Sequence, residues 1–267
     1  MPPNQTRHMR HVIYFLLALL ITSCTGDGVR VEADEDLAFG IDVSQYQGKI
    51  NWSKVGRRHP VEFVFVRISM GADGVDKWAK RNLKGAKEEG FQIGVYHYYR
   101  PNENSTRQAR NFISQLDRLD PDLDFRVVLD IEEKPSPRVQ TMAQLKEGLK
   151  NWISLVEREV GHDPIIYTGL NYYNQNFRND DDFEDYPYWV ASYNKSRRNG
   201  VRERFNMHQF TDKVRISGIS EYVDGNDIVR TSMNDYLRPE KVQQAPENNQ
   251  VEMRLVSQSF TKTDQEN

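Results

Sequence analysis

The segment Arg126–Lys134, RVVLDIEEK, runs aliphatic residues straight into Asp130, Ile131, Glu132 and Glu133. On an extended strand alternate side chains share a face. Asp130 and Glu132 then converge on one volume, with Cβ atoms roughly 6.5–7 Å apart, while Ile131 and Glu133 turn the other way. Two carboxyls in a partly dry site cannot both ionise easily, so one keeps its proton to higher pH. A proton-loaded carboxyl beside an ionised one is what cleavage of a glycosidic bond requires. Alone, a D-x-E pair is also what a solvated rim or a capping site looks like.

Other apolar runs finish in polar or aromatic groups too. Phe39–Val43 carries Asp42 and is followed by Ser44, Tyr46 and Gln47; Ile93–Tyr99 delivers His97, Tyr98 and Tyr99. PIIYTG ends in Tyr167, YWVASYN places Trp189 and Tyr193, and NMHQF supplies His208 and Gln209. Acids together with aromatics suit a carbohydrate site, because sugar rings stack on aromatic faces and their hydroxyls need hydrogen bonds.

The elements that must position these groups are strand-like runs at Phe39–Val43, Phe63–Ile68, Ile93–Tyr99, Arg126–Ile131, Pro164–Thr168, Tyr188–Ala191 and Phe205–Phe210. Most are apolar on both faces, the pattern of a largely parallel, covered sheet. Three helical patterns separate them. One spans Lys77–Glu89 and stops at Gly90. The second starts at Ser105 with Gln108 as a capping box, and the third at Thr141 with Gln144. Beyond Pro164 the helical period fades, and NYYNQNFRNDDDFEDYP and NKSRRNGVRER read as loops. The fold expected is α/β: a single distorted (β/α) barrel whose helical layer is incomplete, with unstructured segments at both ends.

Composition limits the alternatives. The 267 residues carry a net charge of −3, which gives no electrostatic case for binding nucleic acid. The six histidines form no H-x-x-x-H or H-E-x-x-H pattern, and the acidic loop around Asp181 lacks the spacing of a calcium loop, so no metal or other cofactor is expected. Ser44 and Ser192 lack evident His and acid partners, which disfavours a serine hydrolase.

The N-terminus has a basic segment, an apolar run from Val12 to Ile21, and Thr22-Ser23-Cys24. The run is too short to span a bilayer and has the form of a signal h-region. Its ending resembles a bacterial lipoprotein signal in which Cys24 would be lipidated, anchoring the protein to a membrane of the cell envelope. As the only cysteine, Cys24 leaves no intrachain disulfide. The expected division is a signal peptide over 1–24, an acidic tether over 25–37, a barrel over 38–237 and a polar tail over 238–267.

With those residues in view, FGIDVSQYQGKINW closely resembles the opening of glycoside hydrolase family 25, the lysozymes of the Chalaropsis type. GVYHYYRP, VVLDIEE, PIIYTG, WVASY and ISGISEYVDGND resemble the family's later motifs, in its order. The resemblance spans Phe39 to Ile228. It implies a β-1,4-N-acetylmuramidase acting as a monomer on peptidoglycan glycan strands. It would make Glu132 the general acid, Asp130 its partner, and Asp42 and Asp224 the remaining acids. Tyr98, Tyr167 and Gln209 fall at groove-lining positions. Two departures stand out: Met70 replaces a frequent acid, and His208 replaces a frequent Trp that could have offered a stacking surface. A non-catalytic glycan-binding lipoprotein and a hydrolase of another N-acetylated glycan, such as chitin, are the alternatives.

Overall fold

The computed structural model describes residue 29 and residues 31–244; the signal-like segment with Cys24 and the tail from residue 245 lie outside the described residues. The strands are β1 (Leu37–Val43), β2 (Phe63–Met70), β3 (Gly74–Val75), β4 (Gln92–Tyr98), β5 (Val128–Asp130), β6 (Ile165–Gly169), β7 (Tyr188–Ala191), β8 (Met207–Val214) and β9 (Val223–Val229). They pair in the order β1-β9-β8-β7-β6-β5-β4-β2, and a parallel β1–β2 pairing closes the ring. The two-residue β3 hangs on β2 as an arm. Seven ring strands are parallel neighbours, and β9 runs antiparallel to both β8 and β1. The sequence reading did not mark β9 as a strand. Asp224, Gly225, Asn226 and Asp227 within it are poor strand formers, held instead by pairing on both sides.

The helices are α1 (Trp52–Arg58), α2 (Ala79–Glu88), α3 (Ser105–Leu119), α4 (Met142–Val160), α5 (Leu170–Asn176), α6 (Arg198–Phe205) and α7 (Pro239–Gln244). The Thr141/Gln144 capping box forms at the start of α4. At α3 the cap is Asn104, whose side chain accepts from Arg107 N. Gln108 turns inward instead: its Oε1 accepts from Arg100 N at 2.9 Å and its Nε2 donates to Arg100 O at 2.9 Å. The buried backbone after β4 needs those partners more than the helix end does. The segments read as loops carry the short helices α5 and α6, and Pro239–Gln244, read as tail, forms α7. At the other end, Val29 N donates to Lys213 O, so part of the expected tether lies against the barrel. Among the described residues no helix is long and apolar enough to cross a membrane.

Strand alternation divides the apolar residues into two cores. Outward residues such as Val64, Val66, Ile93, Leu129 and Ile166 pack under the helices with Phe112, Leu149 and Trp152. Inward ones, including Phe63, Phe65, Val128, Ile165, Trp189 and Met207, fill the barrel. Tyr236 and Leu237 plug its N-terminal end, with Leu237 bridging Phe125 and the Tyr236 hydroxyl donating to Tyr188 O and Phe205 O. The Phe63 and Phe65 rings fit because glycines face them from both sides. A Cβ on Gly40 would lie 2.1 Å from the Phe63 ring, and one on Gly94 2.2 Å from that of Phe65.

Gly94→Ala is therefore expected to overpack the barrel and destabilise it by about 1–3 kcal/mol. Urea unfolding should show a lower midpoint with an unchanged slope.

Candidate active site

Parity along the strands decides which polar groups reach the barrel's C-terminal mouth. Asp42 follows Ala38 and Gly40 on the inner face of β1, and Arg67 follows Phe63 and Phe65 on β2. Tyr96 and Tyr98 share the inner face of β4, Asp130 follows Val128 on β5, and Tyr167 follows Ile165 on β6. Gln209 follows Met207 on β8, while Asp224 and Asn226 precede Ile228 on β9. Asp42, Arg67, Tyr96, Tyr98, Asp130, Tyr167, Gln209 and Asp224, with Ser44, Tyr46, Gln47, Glu132 and Trp189, line a cavity of about 220 Å³, and Asn226 is buried behind Asp42. A neighbouring depression of about 470 Å³, lined by Asn171, Tyr193 and Asn194, shares Glu132 with it and extends the groove. A third cavity, about 240 Å³ on the barrel's flank, has Arg198 and Arg202 already paired with Asp227.

Asp42 is the hub. Its Oδ2 accepts from Gln209 Nε2 and Asn226 Nδ2, each at 2.9 Å. Gln209 Oε1 accepts from the Tyr167 and Tyr193 hydroxyls at 2.7 and 2.6 Å, and Asn226 Oδ1 from Trp189 Nε1 at 3.0 Å. Asp224 lies directly across the antiparallel pair from Asp42. Burial raises both carboxyls, but the two amide donors favour charge on Asp42, whereas the charge of Asp42 adds to the rise of Asp224, to about 9. Asp224 therefore keeps its proton at neutral pH, while the amide donors draw Asp42 toward its charged form against the effect of burial.

The second acid pair sits across the mouth. Asp130 is the last residue of β5 and is buried, and its Oδ1 has no hydrogen-bond partner. Its carboxyl rises well above the ordinary range, through burial first and then the charges of Glu132 and Asp42, with Arg67 opposing. Glu132 stands farther out and keeps exposed surface. Partial loss of hydration, then Asp42 and Glu133, push it up to about 7, while water from the open groove works against that rise. The larger effect falls on Asp130, because it is the deeper of the two.

Around the acids, a short 3-10 turn at Gln45–Gln47 presents Tyr46 to solvent, 69% exposed. Ser44 caps the turn, and Gln47 Oε1 accepts back from Ser44 N at 2.8 Å. Arg67 lies under the Tyr46 ring, 5.0 Å from its centroid, and is held by Asp76 at 3.1 Å. Asp76 also accepts from Gln45 N and Trp78 N. Tyr98 donates to Glu133 Oε1 at 2.7 Å, so Glu133 leaves the cavity yet stays tied to its rim.

Two expectations need correction. His97 does not line the groove: it has the opposite parity to Tyr96 and Tyr98, is fully buried, bonds Ser69 Oγ at 2.7 Å and stacks on Trp152. Burial lowers it to about 3, so it is neutral. His208 likewise faces outward, fully buried against Ser192 O, and no stacking surface exists there for it to alter. Trp189 is floor rather than wall, packed on Phe65 and Tyr167 at 4.9 and 4.6 Å between centroids. Met70 lies outside the cavity, its sulfur accepting from Arg100 at 3.3 Å. The reading missed Arg67, Asn226 and Asp76. A lone Arg in phase with Phe63 and Phe65, and an Asn two residues after Asp224, were the available signals.

Comparison with known proteins agrees with this geometry. The sequence pattern of glycosyl hydrolases family 25 matches residues 41–219. The chain is 32% identical over 191 residues to the protein YegX of Escherichia coli (strain K12), covering 70% of this chain and 68% of that one. It is 30% identical over 203 residues to Lysozyme M1 of Streptomyces globisporus, covering 73% and 68%. Among solved structures it resembles a bacterial lysozyme from Streptomyces coelicolor, with a TM-score of 0.61 and 26% identity over 73% of this chain and 93% of that one.

Asp224, raised when folded, favours the folded state fully only below its unfolded pKa, and that contribution fades as pH climbs toward about 9. Asp224→Asn removes the penalty. It is expected to raise the melting temperature at pH 8 by about 2–4 °C and to flatten its decline between pH 5 and 9, as read by calorimetry.

Proposed function

Because the chain belongs to glycosyl hydrolase family 25, we propose that it is a lysozyme, an N-acetylmuramidase. It cleaves β-1,4 bonds between N-acetylmuramic acid and N-acetylglucosamine in peptidoglycan. The observation that carries this reading is the gathering of Asp42, Asp130, Glu132 and Asp224 in one aromatic-edged groove. The lysozyme names among its relatives support it.

In this mechanism Glu132 gives its proton to the glycosidic oxygen as the bond from C1 to that oxygen breaks. The carbonyl oxygen of the sugar's own 2-acetamido group closes on C1 from the opposite side, forming a cyclic oxazolinium ion. Glu132, now ionised, takes a proton from the water that opens the ring, and is ready again. Asp130 steadies the acetamido N–H, for which its unpartnered Oδ1 is available. Burial sets Asp130 back from the open groove, with Glu132 the more exposed of the two carboxyls, and this favours attack by the acetamido group over direct attack by Asp130. Asp42 and Asp224, paired across β1 and β9, hold the far side of the site. Gln209, Tyr167 and Tyr98 shape the wall, and Tyr46 and Tyr193, the two most exposed tyrosines of the rim, offer faces to the sugars on either side.

We further propose that the mature protein is a monomer anchored to the bacterial envelope through lipid on Cys24. The support is the apolar run and the Ile21-Thr22-Ser23-Cys24 ending. Radiolabelled palmitate incorporation, lost in Cys24→Ala, is the expected outcome.

Digestion of purified peptidoglycan followed by mass spectrometry should release fragments with N-acetylmuramic acid at the reducing end. Glu132→Gln should slow that release by about 10²–10⁴-fold. With Glu132 as the acid, kcat should fall about tenfold per pH unit above roughly pH 7. Release of chitin fragments in preference to peptidoglycan fragments, or of none from either, would contradict the assignment.

A further inference from the structure

A second groove, about 1020 Å³, opens beside the catalytic one between the β1–α1 connection and α2. Lys49, Lys77, Lys80, Arg81 and Lys84 line it against Glu88 and Glu89. Five cations against two acids leave a local surplus of three positive charges on a chain whose net charge is −3. Among the described residues Lys84 pairs with Glu88 at 3.7 Å, but Lys49, Lys77, Lys80 and Arg81 have no acid within ion-pair distance. All four are exposed. Exposed cations usually find nearby acids on a surface rich in both signs, so unanswered charge concentrated along one groove has the character of a recognition surface.

The two grooves are lined by neighbouring residues of the chain. Gln47 lines the catalytic cavity, and Lys49, two residues on, lines the basic one. Asp76 braces Arg67 and Gln45 from the catalytic side, and Lys77 follows it on the other. The Cα atoms of Gln47 and Lys49 are therefore at most about 7 Å apart, so the two grooves open on adjoining stretches of chain. In peptidoglycan the lactyl ether of N-acetylmuramic acid carries a short peptide with free carboxylates. Extended, four or five residues of it reach about 13–18 Å.

We propose that the basic groove receives the carboxylates of the stem peptide borne by a muramic acid residue in the adjoining catalytic groove. The enzyme then favours glycan strands that keep their stems. This inference rests on the muramidase reading for the identity of the glycan. Lys80 and Arg81, in the first turn of α2, are the residues best placed to set the preference, and Arg81 is steadied over the Trp78 ring at 5.9 Å.

The test measures binding rather than turnover, with the chain carrying Glu132→Gln so that fragments stay uncut. Soluble glycan fragments with their stems, and the same fragments after an amidase has removed them, are titrated by calorimetry at low salt. Stems are expected to tighten binding about five- to tenfold, and the gain should shrink as salt is raised. Adding Lys80→Glu and Arg81→Glu should reduce the gain to less than twofold. Equal affinity for both fragments, or a gain untouched by charge reversal, would overturn the proposal. So would displacement by poly(glycerol phosphate) with no effect of the stems, which would make the groove a site for an anionic polymer. Failure of the wild-type chain to release any fragment would instead count against the muramidase reading, since the binding comparison does not depend on it.

Discussion

The structure is organised around one buried carboxyl. Asp42 sits inside a ring of strands where an unpartnered carboxylate would cost several kcal/mol in lost hydration. It is tolerated because Gln209 and Asn226 donate to the same oxygen. Those donors are in turn held by Tyr167, Tyr193 and Trp189. Groups from β1, β6, β7, β8 and β9 are thereby locked to one atom, so the site's geometry and the barrel's closure are the same constraint. A mouth full of raised carboxyls is poor for stability and suited to proton transfer, the trade expected where a site needs groups away from their relaxed state.

Closure also explains the position of β9. A strand holding Asp224 and Asn226 has little tendency to be a strand alone, but between β8 and β1 it completes the ring and turns both residues inward. The inner face is graded. The N-terminal end is sealed by Tyr236 and Leu237, aromatic rings fill the middle against Gly40 and Gly94, and ionisable groups crowd the open end. That gradient carries Asp130 and Glu132 from dry to wet over two residues. The deeper carboxyl keeps its proton most firmly, and the outer one is left within reach of a sugar and of water.

Much of this was legible in the linear order of residues. Apolar runs that end in acids and tyrosines located the catalytic end, and the capping box at Thr141 located the longest helix. Parity was available as well: the phase that puts Tyr98 in the groove puts His97 outside it, and counting by twos from Phe63 reaches Arg67. Those two were missed for want of applying a period of two to every strand, not for want of signal. The cap of α3 is different. Ser105 and Gln108 satisfy the local pattern, and only the buried backbone beside Arg100, brought near by folding, draws Gln108 inward.

The sequence by itself determined the fold class, through local period, and the family, through motifs in order; the resemblance of those motifs in turn pointed to the four acids that the structure gathers in one groove. Tertiary structure alone decided which carboxyl keeps a proton, since that depends on depth and on charges brought from other strands. It also decided that Asn226 and Gln209 meet on one oxygen of Asp42 across 184 and 167 residues of chain, and that β9 is a strand at all. Burial and long-range pairing are properties of the closed barrel, and no short segment carries them.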